Sequence, residues 1–289
     1  MINHRYTADE LRSVISQAED LIGNRLEDLV RRYQLGATSV TPPRHQNRLV
    51  QLLLRLQRAA DRPNDGLAES AAVLAIVEVS GILETLERWR SDPVWPEFQA
   101  AIQDPRDYLH AVTTLTVASA LKERHPGTLL VASGSAGRSP DLRMVVTDQH
   151  NLAVEVKSSL SLGQRASPMH LTEAVELVEK SIKGASTGFR GQLATGTPGV
   201  LVIGGFNIDA GTFAALGDAA GQVLSRGRWR SHLLAIVISH TRLVPPRVEN
   251  GRVSVGLAHE TRIRSNPRYI GHLRFIGDWG GDWRLELSR

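Results

Sequence analysis

The sequence predicts an α/β protein in which a mixed sheet is preceded by a helical region and followed by a small β-rich extension. Three observations predict this class. Apolar residues recur at helical spacing up to about residue 98, short β-branched runs alternate with helical stretches from Asp107 onward, and apolar residues alternate with period two after Pro245-Pro246. The predicted domains are accordingly residues 1–98, 99–241 and 242–289.

The N-terminal domain is predicted to consist of helices joined by turns. Two helical stretches with an apolar face cover residues 15–30 and 48–60, and a strongly apolar stretch over residues 71–86 is predicted to be a buried helix. Turn signals that contain proline separate these stretches at residues 41–43 and 63–66. The sequence Asp92-Pro93-Val94-Trp95-Pro96 follows the last stretch, and we expect the domain boundary there.

The second domain is predicted to have the element order α-β-β-β-α-β-α-β. Its helices are expected over residues 107–124, 169–183 and 209–224, and its strands over residues 128–132, 141–147, 152–157, 199–204 and 233–239. Only Asp148-Gln149-His150-Asn151, a hairpin signal, separates the second strand from the third. These two strands are therefore expected to pair antiparallel.

Composition excludes several kinds of site. The chain has no cysteine, which excludes disulfides, thiolate zinc sites and cysteine nucleophiles. The N-terminal sequence MINHRYTADELRSV lacks the apolar core of a signal peptide, and the apolar runs fall short of the roughly 20 residues that span a bilayer. We therefore expect a soluble, cytoplasmic protein with no membrane partner.

Positive charge is concentrated near the C-terminus. The formal net charge is +4, and residues 242–289 contain nine arginines and five acids, so this segment alone carries +4. Such a segment is compatible with a polyanionic partner such as nucleic acid, and equally with a solvated arginine-rich surface.

Three charged residues of the predicted hairpin are candidates for catalysis. Asp141 begins the second strand, and Glu155 and Lys157 lie at the end of the third. The start of one strand of a hairpin lies opposite the end of the next, so Asp141 is expected close to Glu155 and Lys157. Glu155 and Lys157 are two positions apart and share one face, while Val154 and Val156 point into the packing. We expect both carboxylates at the edge of the sheet rather than in the core, so that replacing either with alanine would relieve repulsion and slightly stabilise the metal-free protein.

Two carboxylates in this position suit a hard divalent cation. Asp141, Glu155 and the carbonyl of Val156 offer oxygen ligands for Mg²⁺, with Mn²⁺ as a substitute. Such an ion polarises a phosphoryl oxygen and acidifies a bound water, and the Lys157 amine can orient that water or stabilise phosphate charge. Only four of the 34 basic residues are lysines, which suggests that arginine would not serve at position 157. The predicted chemistry is hydrolysis of a phosphodiester.

The same residues resemble the signature of a known family. Pro140-Asp141, thirteen intervening residues and then Glu155-Val156-Lys157 resemble the motif of the PD-(D/E)XK nuclease superfamily, which has a restriction-endonuclease-like αβββαβ core. Pro-Asp and (Asp/Glu)-x-Lys each occur once in the chain, and the resemblance covers roughly residues 105–205. It implies that Asp141 and Glu155 are metal ligands and that Lys157 is the catalytic lysine. The Gln-x-x-x-Tyr pattern of one branch of the family is absent after Lys157.

The resemblance also points to residues outside the hairpin. Many members add an acid from the first core helix, and Asp107 is the candidate here, with Glu97 and Glu123 as alternatives. The competing interpretation of Asp107 is an acid placed at a helix N-terminus by the helix dipole. In the loop over residues 133–139, Ser135 or Arg138 is expected to contact a nucleic-acid phosphate, unless the loop is a plain connection.

The function implied by the resemblance is a metal-dependent DNA endonuclease. Its architecture resembles prokaryotic restriction or anti-phage defence effectors, which act as homodimers or with an ATPase or helicase subunit, and the N-terminal helices would select the partner or target. Two alternatives stay open. One is a nuclease of DNA repair or recombination, and the other is a protein of the same fold that binds DNA or a partner subunit without cutting.

Overall fold

The computed structural model describes residues 6–36, 48–62, 66–104, 107–124, 128–131, 140–148, 150–159, 162, 165, 167–186, 193, 197–226, 232–249, 252–276 and 284–287. The chain forms two compact units. The first, here called the helical unit, comprises Met1–Leu115 and Leu243–Ala258, and the second, the sheet unit, comprises Thr116–Arg242 and His259–Arg289.

The helical unit contains five helices and the start of a sixth among its described residues. They are α1 (Ala8–Ile22), α2 (Leu26–Gly36), α3 (Arg48–Asp61), α4 (Gly66–Glu87), α5 (Trp95–Gln103) and α6 (Tyr108–Arg124), and α6 continues into the sheet unit. The helices predicted over residues 48–60 and 71–86 are present as α3 and α4, whereas the predicted stretch over residues 15–30 is divided at Gly23 between α1 and α2. Of the residues at the expected boundary, 92–94 form a turn, whereas Trp95 and Pro96 begin α5, because proline is accepted in the first turn of a helix, where its missing N–H costs nothing.

Local signals define the ends of α1. Thr7 and Glu10 form a capping box at its start, with the Glu10 amide donating to the Thr7 hydroxyl at 3.2 Å and the Thr7 amide donating to the Glu10 carboxylate at 2.7 Å. Gly23 ends the helix in the left-handed region at φ 72°. A Cβ at this position would meet the terminal amide of the Gln99 side chain at 2.7 Å, and because that flexible side chain can move, it is the positive φ that favours glycine here.

A six-stranded sheet has the order β1-β2-β3-β4-β5-β6, and the sheet unit contains all of it except the residues of Leu243–Ala258, which are assigned to the helical unit. Its strands are β1 (Thr128–Val131), β2 (Leu142–Thr147), β3 (His150–Ser158), β4 (Gly199–Phe206), β5 (Leu233–Glu249) and β6 (Arg252–Ser265), with helices α7 (Leu171–Ser186) and α8 (Ala210–Arg226) before and after β4. Strands β1, β2 and β3 pair antiparallel, whereas β3, β4 and β5 pair parallel. This mixed sheet confirms the predicted α/β class, and the elements follow the predicted order.

The sheet is buried on both faces at β3, β4 and the first half of β5. One face carries aliphatic residues of β3, β4 and β5 such as Ala153, Leu201 and Ile236, and packs in a single core with α7 and α8. On the other face, Val154, Val200 and Val237 line a small apolar cavity beneath the C-terminal half of α6. Strands that are buried on both faces have near-continuous apolar sequences. For this reason the apolar runs at residues 199–204 and 233–239 predicted β4 and β5.

The C-terminal strands differ from the expected separate extension. β6 belongs to the six-stranded sheet, and only β7 (Leu273–Ile276) and β8 (Arg284–Leu287) form a second, two-stranded sheet. β5 crosses the predicted domain boundary between residues 241 and 242 and continues through Pro245-Pro246. Pairing with β4 ends at Thr241, opposite Phe206, so the prolines lie where no ladder with β4 requires their N–H groups.

Among the described residues, no helix combines the length and apolarity needed to cross a membrane.

Candidate active site

Asp141 lies immediately before β2 and beside β3. Leu142 of β2 is the partner of Val154 of β3, so the position before Leu142 falls opposite Glu155. The Val156 amide donates a hydrogen bond of 2.7 Å to Asp141 Oδ2. The hairpin therefore brings Asp141 to the end of β3, as the sequence predicted.

Glu155 is fully buried. Its exposed fraction is 0 %, and as a neighbour of Ala153 in the alternation of β3 it points to the face that α7 and α8 cover. The Lys157 amine donates to Glu155 Oε1, and the lysine side chain is 36 % exposed. The strand thus places a buried carboxylate against a lysine that reaches the surface.

The expectation that both carboxylates lie at the sheet edge is wrong for Glu155. β3 is an interior strand, because β2 flanks it on one side and β4 on the other, with Glu155 level with Leu201 of β4. The hairpin sequence contains no information on this second neighbour, which comes from a segment more than 40 residues later. Glu155 is consequently part of the core, and the predicted gain in stability on its replacement by alanine is withdrawn.

The pairing with Lys157 explains how this carboxylate is tolerated. A buried carboxylate without a partner is costly, and a lysine at hydrogen-bonding distance offsets much of that cost. Asp141, Glu155 and Lys157 together carry a formal charge of −1. The cluster is therefore able to accept a cation.

The remaining predicted site residues are Asp107, the Val156 carbonyl, Ser135 and Arg138. Asp107 belongs to the helical unit, where its carbonyl accepts from the Ala111 amide at 2.9 Å and so starts α6. This agrees with the helix-start interpretation, and its role as a metal ligand stays a prediction, as does that of the Val156 carbonyl. Ser135 and Arg138 lie outside the described residues. Within the described ranges, no group of three or more histidine, aspartate or glutamate side chains forms a metal-binding cluster.

A second polar cluster, which the sequence analysis missed, lies on β5 and β6. Glu260 accepts hydrogen bonds from Arg242 Nε at 2.7 Å and faces His240 Nε2 at 3.2 Å. The His240 ring is buried, with an exposed fraction of 2 %, and stacks on Phe213 of α8 at a centroid distance of 4.1 Å. Arg262 lies over the same Phe213 ring at 4.6 Å. We call His240, Arg242, Glu260 and Arg262 the β5–β6 cluster.

Burial and pairing shift the pKa values in this cluster. Burial lowers the pKa of His240 below its ordinary value, although Glu260 and the backbone of Ile208 act in the opposite direction. Partial burial acts to raise the pKa of Glu260, but hydrogen bonds with Arg242 and His240 outweigh it and the pKa lies below its ordinary value. Near neutral pH the cluster therefore holds a neutral imidazole and an ionised carboxylate.

One signal in the sequence points to this cluster. His240-Thr241-Arg242 and Glu260-Thr261-Arg262 each carry ionisable side chains two positions apart, which places His240 with Arg242 and Glu260 with Arg262 on one face of each strand. Glu260 meets His240 and Arg242 only because β5 and β6 are neighbours in the sheet. The sequence of either strand alone does not predict that neighbourhood.

Comparison with models of known protein families, with curated proteins and with solved structures finds no match for this chain.

Proposed function

We propose that this chain is a Mg²⁺-dependent nuclease with a restriction-endonuclease-like core, and that it hydrolyses phosphodiester bonds in DNA. The observation that carries the proposal is the meeting of Asp141 with the end of β3, where Glu155 and Lys157 form an ion pair. An acid, an acid and a lysine on two neighbouring strands match the chemistry of metal-assisted phosphodiester hydrolysis.

The residues fit a magnesium ion. Mg²⁺ is usually held by one or two carboxylates together with water and substrate phosphate, and Asp141 and Glu155 supply two carboxylates on neighbouring strands. Asp141, Glu155 and the Val156 carbonyl would hold the ion, and Mn²⁺ would substitute for it. When bound, the ion supplies Lewis-acid polarisation of the phosphate and a more acidic water.

The protein residues divide the remaining work. The Val156 amide fixes the Asp141 carboxylate by its hydrogen bond of 2.7 Å, so that carboxylate is oriented in advance. The Lys157 side chain is 36 % exposed, and its ammonium binds the buried Glu155 carboxylate. A phosphate that approaches from solvent would therefore meet this ammonium. A cation fixed at this point stabilises the negative charge that develops on the phosphate during hydrolysis.

The biological setting follows from the same proposal. A nuclease core joined to a helical unit suits a restriction or anti-phage defence effector, in which the helices recognise a target or a partner. The assemblies proposed are a homodimer or a complex with an ATPase or helicase subunit. Each would bring the cutting site to a selected piece of DNA.

One observation favours a second candidate, a protein that binds DNA or a partner without cutting. The Lys157 ammonium is bound to Glu155, so this ion pair has to loosen before Glu155 ligates a metal. A protein that never recruits a metal would keep the pair permanently, as a device that neutralises a buried acid.

Cleavage assays separate these two candidates. We expect wild-type protein to cut at least one of duplex, single-stranded and branched DNA with Mg²⁺ and none with EDTA. Asp141→Asn should abolish cleavage and preserve the fold, because the asparagine oxygen still accepts from the Val156 amide. Asp148→Asn is the matched control, since Asp148 is an exposed aspartate in the turn of the same hairpin. Wild-type protein that cuts none of the three substrates supports the non-cutting candidate.

A further inference from the structure

We propose that Arg242 is a phosphate-contact residue for DNA, and that Glu260 and His240 are positioning residues that hold its guanidinium in place. The inference rests on the proposed nuclease function and adds a second contact point for its substrate. It is argued from the position, the fixation and the charge of the β5–β6 cluster.

Arg242 lies on the same sheet face as the candidate active site. The register of the parallel strands puts Lys157 level with Ile203 of β4 and Ile238 of β5. Arg242 follows Ile238 by four residues, so its Cβ points to the same face. In parallel sheets, ligands bind outside the carboxyl ends of the strands, where β3 ends at Ser158 and β4 at Phe206.

The separation suits one DNA duplex. Two strand spacings of about 4.8 Å and four residues of about 3.3 Å place Arg242 about 16 Å from Lys157. B-DNA rises about 34 Å per turn, so one duplex seated on Lys157 would present another phosphate near Arg242 within half a turn.

The arginine is fixed before any ligand arrives. Its Nε donates to Glu260 Oε1 at 2.7 Å and a terminal nitrogen lies 2.5 Å from the same oxygen. Glu260 is in turn held by His240, whose ring is buried against Phe213. The Arg242 side chain nevertheless keeps 41 % of its surface exposed. A guanidinium held from one side loses little entropy when its exposed side binds phosphate.

The charge of the cluster favours an anion. Arg242 and Arg262 supply two formal positive charges, Glu260 supplies one negative charge and the His240 imidazole is neutral, which gives a formal charge of +1. The candidate active site carries −1 before it takes a metal. The charge of the candidate active site therefore favours binding of a cation, and the charge of the β5–β6 cluster favours binding of a phosphate.

Binding of a fluorescent DNA duplex, measured by anisotropy in EDTA as a function of salt, tests the inference without requiring cleavage. Arg242→Ala should raise Kd about tenfold and lower the slope of log Kd against log salt by about one. Arg242→Lys should keep the salt slope but bind DNA more weakly, because lysine retains the charge and lacks the planar guanidinium that donates two hydrogen bonds to one phosphate. Glu260→Gln should weaken binding less than Arg242→Ala. In cleavage assays, KM should rise more than kcat falls for Arg242→Ala.

Arg90→Ala is the charge-matched control. Arg90 is 48 % exposed and also paired with acids, at 3.0 Å from Asp20, but it lies in the helical unit. The inference is overturned if Arg242→Ala, with a melting temperature equal to that of wild type, loses no more affinity and no more salt slope than Arg90→Ala. If Arg242→Ala is poorly folded, Arg242→Gln is measured in its place, and the same decrease in the slope of log Kd against log salt is expected. Failure of the nuclease proposal is recognised separately, by wild-type protein that binds DNA and does not cut it.

Discussion

Among the described residues, the helical unit and the sheet unit each bury one glutamate, and they neutralise it in different ways. Glu78 of α4 is 1 % exposed, and Arg48 binds both of its oxygens, at 2.9 and 2.7 Å. Glu155 of β3 is 0 % exposed, and Lys157, two residues along the same strand, binds its Oε1. The arginine fork is a fixed bidentate partner, whereas a lysine is a point charge on a flexible stem.

This difference separates a structural ion pair from one suited to chemistry. A carboxylate held at both oxygens by a planar fork is locked in place. A carboxylate held by a mobile ammonium is able to exchange that partner for a metal, and the released ammonium is able to follow the substrate. The comparison predicts that disrupting Lys157 affects catalysis most, and that disrupting Arg48 affects folding most.

The largest effect is expected at Lys157. Lys157→Ala should lower the cleavage rate by about a hundredfold to a thousandfold, as loss of a preorganised charge does. Lys157→Arg should fail as well, because the guanidinium is larger and planar and cannot take the position of the amine. Lys180→Ala, at an exposed position on α7, is the control and should cut like wild type. Full activity of Lys157→Ala would place the catalysis elsewhere.

The next effect is on stability in the helical unit. Arg48→Met leaves Glu78 buried without its fork and should lower the free energy of unfolding by about 3 kcal/mol, the low end for a broken buried pair. Urea denaturation measures this change. Arg12→Met removes an exposed pairing with Asp9 and should cost below about 1 kcal/mol. Equal losses in the two variants would show that the buried pair has no special role.

A smaller effect of opposite sign is expected at Tyr108. Its hydroxyl is buried and, among the described residues, has no hydrogen-bond partner, while burial raises its pKa far above the ordinary value. Tyr108→Phe should therefore leave stability unchanged or raise it by up to about 1 kcal/mol. A clear loss on thermal denaturation would mean that Tyr108 supports the Arg48–Glu78 pair, which would then depend on more than the arginine fork.

The smallest effect concerns pH and the β5–β6 cluster. The pKa of His240 is lower in the folded protein than in the unfolded chain, chiefly through burial. The unfolded chain therefore binds the proton more readily. This contribution to stability is complete above the unfolded pKa of about 6.5 and is lost as the pH falls from there through the lower pKa of the folded protein. His240→Gln should reduce the difference in unfolding free energy between pH 7 and pH 5. An identical pH profile in the variant would contradict a neutral buried histidine.

The sequence predicts contacts between residues that are close along the chain and fails for contacts between distant segments. The approach of Asp141 to Glu155 was predictable because one hairpin turn and the alternation of two strands determine it. The burial of Glu155 was not, because it depends on β4, α7 and α8, which join the hairpin from distant segments. The β5–β6 cluster was missed for the same reason, since His240 and Glu260 meet only across two strands.

The helical unit shows the same limit. The apolar spacing of α3 and α4 predicted two helices, but the pairing of Arg48 with Glu78 joins residues 30 positions apart. Local pattern gives the elements and one face of each. Which charged residue meets which depends on how the elements pack.

The claim that Glu155 is a metal ligand and Glu78 is structural is tested most directly by counting bound Mn²⁺ with electron paramagnetic resonance. Wild-type protein, Glu155→Gln and Glu78→Gln would be titrated with Mn²⁺ in parallel. We predict that wild type and Glu78→Gln bind the ion and that Glu155→Gln loses it. Equal binding by all three proteins, or none by wild type, would contradict the account.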